Sequence, residues 1–231
     1  MVFQPGFRAR ILNGDFSLSA KLTDISLPVS VEMLDSTTFA DNGAKRSIPG
    51  LDHSTFSCDG FVDAETNTDV AAWVDAQPFT YAREGLALGS PTILVNGLKS
   101  SYEPGTQVGG ISSFSLSGET DGPASFGVSL HDLTAETATL NGTGVDGGAA
   151  STNGGVAHLH VTAYSGLTSA TVVVADSADN VSFATIGSFT AATAATSQRL
   201  AITGTIRRYT RYTLTAVGTG SVTFACALAR H

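Results

Sequence analysis

The stretch SVTFACALAR, Ser221 to Arg230, sets Val222, Phe224, Cys226 and Leu228 on one face of an extended chain and Thr223, Ala225 and Ala227 on the other. A period of two marks a β-strand, because successive side chains leave a strand on opposite sides. Upstream, VAHLHVTAY, SATVVVAD, SFATIGSF, QRLAITG and RRYTRYTLTAV repeat the pattern from Val156 onward. About six strands at this spacing predict a β-sandwich over 156–231, and the same count also allows one larger merged β fold.

Composition agrees. In 231 residues Gly is 25 and apolar residues reach 42%, while charged residues are only 14%. Lys and Glu, which usually fill the exposed faces of helices, are scarce, so the profile is all-β. The net charge of -8 argues against capture of nucleic acid by neutralising phosphates. The chain has no apolar run of about 18 residues, so no membrane insertion is expected. MVFQPGFRAR lacks the apolar centre and small-residue cleavage site of a signal peptide, which predicts a protein kept in the cytoplasm unless assembly or lysis releases it.

In the N-terminal half, DFSLSAKL aligns Phe16, Leu18, Ala20 and Leu22, and LPVSVEML sets Val29, Val31 and Met33 against Ser30 and Glu32, predicting half-buried strands. STFSCDGFV continues the pattern until Gly60 loosens it. DAETNTDVAAWVDAQ differs: a start signal at Asp63, early acidic residues, and Val70, Trp73 and Val74 at helical spacing predict one helix packed on a sheet through Trp73. FTYAREG, TILVNGL, ISSFSLSG and ASFGVSLH follow as strands between Gly-rich turns. TAETATLNGTGVDGGAASTNGG, with almost no bulky side chains, reads as a linker carrying one short strand at most. The expected division is a first domain at 1–133, a linker at 134–155 and a sandwich at 156–231.

Chemistry-bearing patterns are sparse. GTGVDG, Gly142 to Gly147, has the spacing of a dinucleotide fingerprint but no helix behind it to receive a phosphate. His158 and His160 share one strand face, a chelating geometry with no third ligand close in sequence, and read as polar-face histidines. Cys58 and Cys226 read as small buried hydrophobes, with no basic neighbour to activate a thiolate. Asp35, Asp41, Asp52, Asp59 and Asp63 fall where turns are dense, and no GxSxG elbow is present. No enzyme activity and no cofactor are expected. A glycan hydrolase would need two carboxylates brought together from separate strands.

One loop is disproportionate. LDSTTFADNGAKRSIPGL, Leu34 to Leu51, puts a long polar segment with a Lys-Arg pair where two to five residues would turn the chain. With ILNGDFSLSAKLTDISLPVSVEML before it and the Trp73 helix after it, the order of parts over about 6–132 resembles the major tail tube proteins of long-tailed, noncontractile bacteriophages. The residues carrying the likeness are Thr37, Thr38, Lys45, Arg46, Pro49, Gly50, Leu51, Ser57 and Gly60. DSADNVSF (Asp176 to Phe183) and RRYTRYTL (Arg207 to Leu214) resemble the galactose-binding-like, discoidin-type sandwiches of actinobacterial phage tail proteins, with Asn180 in place of the usual Gly.

The resemblance implies a tail-tube β-sandwich or barrel with one helix, joined to a jelly-roll-like sandwich. It implies a structural virion protein polymerising as stacked, hexameric rings around a channel for genome ejection, assembled in the host cytoplasm. Expected partners are copies of itself, tape measure protein and viral DNA in the lumen, and tail terminator and distal tail proteins. Thr37, Thr38, Asp41, Lys45, Arg46, Pro49 and Gly50 become a stacking loop, Lys45 and Arg46 facing an acidic neighbour and Pro49 and Gly50 fixing the return. Arg207, Arg208 and Arg211 are candidate contacts to a neighbouring subunit or at the surface. The alternative is a carbohydrate-binding adhesion module for host glycans, although Tyr164, Phe189, Tyr209 and Tyr212 read as strand core rather than exposed loop tips.

Overall fold

The computed structural model describes residues 8–41 and 43–231. MVFQPGF, on which most of the N-terminal reading falls, and Asn42 of the loop lie outside the described residues. In chain order the strands are β1 Arg10–Asn13, β2 Phe16–Ser17, β3 Leu22–Ser26, β4 Val29–Asp35 and β5 Ser47–Phe61. Helix α1, Ala64–Ala72, follows, then β6 Gln77–Ala82, β7 Pro91–Gly105, β8 Ser113–Thr120, β9 Ser125–Glu136, β10 Leu140–Asn141 and β11 Val145–Asp146. β12 Gly155–Ser177, β13 Ala184–Ser188, β14 Thr196–Ile202 and β15 Tyr209–Arg230 complete the series. Among the described residues the protein is all-β and antiparallel with one α-helix, as its composition predicts.

The chain forms two compact units that interleave along the sequence. The first takes residues up to Ala20, then Gln77–Asn96 and Ser125–His231; the second takes Lys21–Ala76 and Gly97–Ala124. This differs from the expected split at 133 and 156, because strand partners are chosen by pairing rather than by order in the chain. β9 lies along β15, with Leu228 opposite Val128 and Phe224 opposite Thr134. Cutting near Gly154 therefore removes the strand on which the first unit is built.

In the first unit β12 pairs with β15 from end to end, and also with β13 and β14. Both long strands bend where the register shifts between Ser165 and Ser169. Glycine is required at this bend: Gly166 and Gly218 take positive φ, and a Cβ on Gly220 would stand 2.0 Å from the Ser165 carbonyl. Leu159, Val161, Val172, Val174, Leu214 and Phe224 belong to one buried core cluster.

The segment expected to be a linker is fastened down. β10 and β11 both pair with β15, and Val145 is part of the core. Its glycines serve close packing rather than slack. A Cβ on Gly142 would meet the Tyr212 ring at 2.4 Å, on Gly144 the Asn180 side chain at 2.0 Å, and on Gly147 the Arg230 guanidinium at 0.9 Å.

In the second unit β5 is the spine. Its second half pairs with β3 on one side and β8 on the other, and β8 pairs with the second half of β7. The alternation read across Phe16 to Leu22 is broken by a turn between β2 and β3. Helix α1 covers one face: Asp63 caps it by accepting from Thr66 N at 2.8 Å and pairs with Lys21, and Lys99 Nζ donates to the Val70 carbonyl at 2.7 Å. Val70 and Trp73 are buried, and Trp73 stacks on Phe56 with ring centroids 5.6 Å apart. Val74 is exposed, because the helix ends at Ala72 and the backbone is already extended at Trp73. A Cβ on Gly118 would stand 2.0 Å from the Phe56 ring, so that strand has no room for a side chain there.

Candidate functional site

The face of the second unit turned away from α1 follows from strand register. Ser26 of β3 lies opposite Ser57 of β5, Ser57 opposite Ser117 of β8, and Ser117 opposite Ser101 of β7. One row on, Asp24, Asp59, Ser115 and Glu103 are likewise in register. Directly opposed residues project to the same side of a sheet. The result is a band of short hydroxyls and carboxylates, with Thr55 and Glu119 beyond it and neither Lys nor Arg among the described strand residues of that face. Ser115 Oγ donates to Asp59 at 2.5 Å, holding the row together. Beneath it, burial and the nearby carboxylates of Asp59 and Asp24 push the Cys58 thiol up to about 12, which leaves it an inert core side chain.

The long loop resolves into an arm. β4 extends to Asp35 and β5 begins at Ser47, with Leu34 opposite Ile48 and Met33 opposite Pro49. Pro49, Gly50 and Leu51 are therefore strand residues, and the connecting loop is 36–46. The tip is tied internally. Asp41 accepts from Thr38 N at 2.7 Å and Thr38 Oγ1 at 2.9 Å and pairs with Arg46, while Arg46 N donates to Thr37 Oγ1 at 2.9 Å. Lys45 is exposed and makes no ion pair with a described residue. The expected half-burial of β4 is not seen: Val29, Val31, Met33 and Leu34 are all exposed, Met33 at 62%, and Ile48 and Leu51 on β5 are exposed too, Leu51 at 78%. β4 has β5 as its only strand partner among the described residues, so its alternation has no core to face.

The three arginines are in the first unit. Arg207 forms a two-pronged pair with the buried Asp176, Nε at 2.8 Å and Nη2 at 2.6 Å, and its backbone N donates to the other carboxylate oxygen at 2.7 Å. Arg208 holds Asp146 at 2.8 and 2.6 Å, which lowers that carboxyl to about 2. Arg211 lies over the Phe183 ring, 4.0 Å from its centroid. All three are engaged within their own chain. Asn180 takes φ 60, and Asp179 beside it accepts from Ser177, Val181 and Ser182, which holds its carboxyl well below the usual range.

His158 and His160 lie in the interior rather than on a polar face. Thr80 Oγ1 stands 3.0 Å from His158 Nδ1 and 2.8 Å from His160 Nε2, and His160 Nδ1 is 2.7 Å from the Gly14 carbonyl. A carbonyl only accepts, so His160 carries its proton on Nδ1, Thr80 donates to Nε2, and His158 donates from Nδ1 to Thr80. His158 Nε2 is then a bare lone pair, buried without a partner. Burial lowers both imidazoles, His160 to about 4 and His158 well below its ordinary value, with His160 and Arg199 adding to the latter. Among the described residues no group of three or more His, Cys, Asp or Glu is placed to hold a metal. Sequence reasoning put the pair on one face correctly but had no signal for Thr80, 78 residues upstream of His158.

No protein-family model matches the sequence, and no curated protein matches it. Among solved structures, the chain is similar to a component of the virion of a native gene transfer agent particle at 18% identity and TM-score 0.45, over 54% of this chain and 98% of that one. It is similar to a chain from the tail of an empty gene transfer agent particle with C6 symmetry at 16% identity and TM-score 0.45, over the same shares of each chain. It is also similar to the Dit protein of phage SPP1, described as a paradigm of the hub adsorption apparatus in phages infecting Gram-positive bacteria. That match has 13% identity and TM-score 0.38, over 96% of this chain and 99% of that one.

Proposed function

We propose that this chain is a structural subunit of a bacteriophage virion tail, a major tail tube protein of the noncontractile type. Copies polymerise as stacked, hexameric rings around a channel through which the genome leaves. The observation that carries this reading is the serine and carboxylate face of the second unit. Duplex DNA presents about one negative charge per 1.7 Å of its axis and is held wherever Lys or Arg neutralise its phosphates. A wall of short hydroxyls and carboxylates, with neither Lys nor Arg among its described strand residues, lets such a polymer slide without binding, and a net charge of -8 adds to the effect. The tape measure protein and viral DNA would occupy that channel in turn, with tail terminator and distal tail proteins at its ends.

Purified protein, concentrated and viewed by negative-stain microscopy, is expected to show rings or striated tubes with a continuous central channel. A protein that stays monomeric at high concentration would overturn this function.

A further inference from the structure

We infer that Asn153 is a site of spontaneous covalent modification: its side-chain amide closes on Gly154 N, loses ammonia, and opens with water to aspartate and isoaspartate. The substrate is this chain's own Asn-Gly pair, and water is the co-reactant. The reaction needs no partner subunit, so it is independent of the tube-subunit reading.

The sequence holds seven asparagines, and five of them precede glycine: Asn13, Asn42, Asn96, Asn141 and Asn153. A glycine leaves its nitrogen uncrowded and its backbone free to turn, which is what closure of a cyclic imide on the preceding side chain requires. Folding restrains three of these pairs. Gly14 N donates to the Pro78 carbonyl at 2.9 Å beside the buried Asn13. Gly142 N donates to the Tyr212 carbonyl at 3.0 Å, and Asn141 Oδ1 accepts from Thr213 Oγ1 at 2.9 Å. Asn96 and Gly97 lie inside β7, with Gly97 opposite Thr120 of β8. Asn42 lies outside the described residues.

Asn153 is held differently. It is exposed, between the bridge of Ser151 to Ile206 and the start of β12, and Gly154 N donates to no described residue. The attacking nitrogen therefore has no hydrogen bond to give up. Thr152 Oγ1 stands 3.4 Å from Asn153 Oδ1, the oxygen that gains negative charge as the ring closes. Gly154 N bonds to Asn153 Cγ, the Cγ–Nδ2 bond breaks, and the proton lost from Gly154 N departs on the ammonia; water then cleaves either C–N bond of the imide. Gly154 takes φ 73, and a Cβ there would stand 2.2 Å from the Ile202 carbonyl oxygen, so the fold demands the very glycine that makes the pair reactive. The same loop fastens the end of β15: Ser151 Oγ donates to the His231 carbonyl oxygen, and the Gly154 carbonyl accepts from His231 N at 2.9 Å. Isoaspartate inserts a methylene into the backbone between those two anchors, and either product adds a carboxylate.

Peptide mapping by mass spectrometry tests this on the full chain aged at neutral pH, once folded and once in urea. Each conversion adds about 1 Da. In the folded protein Asn153 is expected to convert about fivefold or more faster than Asn13, Asn96 and Asn141, the protection that one ordinary backbone hydrogen bond supplies. In urea that lead should vanish, since all four pairs are then equally unrestrained. Amide hydrogen exchange at His231 should quicken as the folded wild type ages and stay constant in Asn153→Gln, which cannot close the same ring. An Asn153 that stays intact in the folded protein, that lags any of the other three, or that leads equally in urea overturns the inference. Unchanged exchange at His231 in fully converted protein overturns the coupling to β15.

Discussion

Thr80 gives its hydroxyl proton to Nε2 of His160 across 2.8 Å in the interior of the first unit. That bond exists only while His160 is neutral at Nε2. The folded state therefore resists a proton that the unfolded chain accepts at about 6.5. With the folded value lowered to about 4, stability is complete above 6.5 and falls as pH drops toward 4. For His160 alone the loss is about 3 kcal/mol, from roughly 1.4 kcal/mol per pH unit. Melting temperature measured between pH 7 and pH 4 should fall steadily across this window. A flat profile there would contradict it. Losses from Asp63 and Asp179, whose carboxyls are held low, belong to a separate window below about 3.8.

Thr80→Val keeps the shape of the side chain and removes the hydroxyl that bridges the two imidazoles. It leaves the His158 Nδ1 proton and the His160 Nε2 lone pair without partners in a buried site. The expected cost is about 2–3 kcal/mol, read as a lower urea midpoint with an unchanged slope.

Trp73→Ala opens a cavity beneath α1 and deletes the stack on Phe56 as well as the indole bond to the Asp75 carbonyl at 2.8 Å. A loss of about 3–5 kcal/mol is expected. Unfolding followed by circular dichroism measures it, since Trp73 is the chain's single tryptophan and its fluorescence goes with it.

Gly142→Ala separates tight packing from looseness in the glycine-rich segment. In a flexible linker the change is neutral. Against the Tyr212 ring it must displace an aromatic side chain, and overpacking of this kind costs about 1–3 kcal/mol. An unchanged melting temperature would restore the linker reading.

Ser57→Arg combined with Ser117→Arg places two cations on the serine row. Assembly is expected to persist, because neither position is on the β4–β5 arm or in the loop at 36–46. The wild type should leave duplex DNA unretained in a filter assay. The variant should bind it, with a slope of log affinity against log salt near -1.8 per copy if both arginines reach phosphates. Failure to bind would mean that DNA does not meet this face.

The strands were legible because period-two patterning survives wherever a strand has one buried face, as in Val222 to Leu228 or Phe114 and Leu116. The same pattern misled at Val29, Val31 and Met33, since alternation says that two faces differ and not that a core covers one of them. Helix α1 announced its start through Asp63, but its end lay in the backbone at Trp73, where Val74 still fitted the spacing. Glycine content was the weakest guide. It measures missing side chains, and only the neighbours Tyr212, Asn180 and Arg230 show that the space was already taken. Arg207 and Arg208 were visible as cations, yet Asp176 and Asp146, which hold them, lie 31 and 62 residues away and carried no local sign of the pairing. Within the candidate face, each serine looked ordinary; only the register of four strands made a row of them.

The interleaving of the two units also sets an order of events at the ribosome. Every strand of the second unit has been synthesised by residue 124, whereas the first unit waits for β15, Tyr209–Arg230, on which β9, β10, β11 and β12 all converge. A nascent chain can thus pair β3, β5, β7 and β8 early but cannot close its first unit until those last strand residues emerge. A chain broken off before Tyr209 would carry a paired second unit beside a first unit that has lost the strand its sheet is built on.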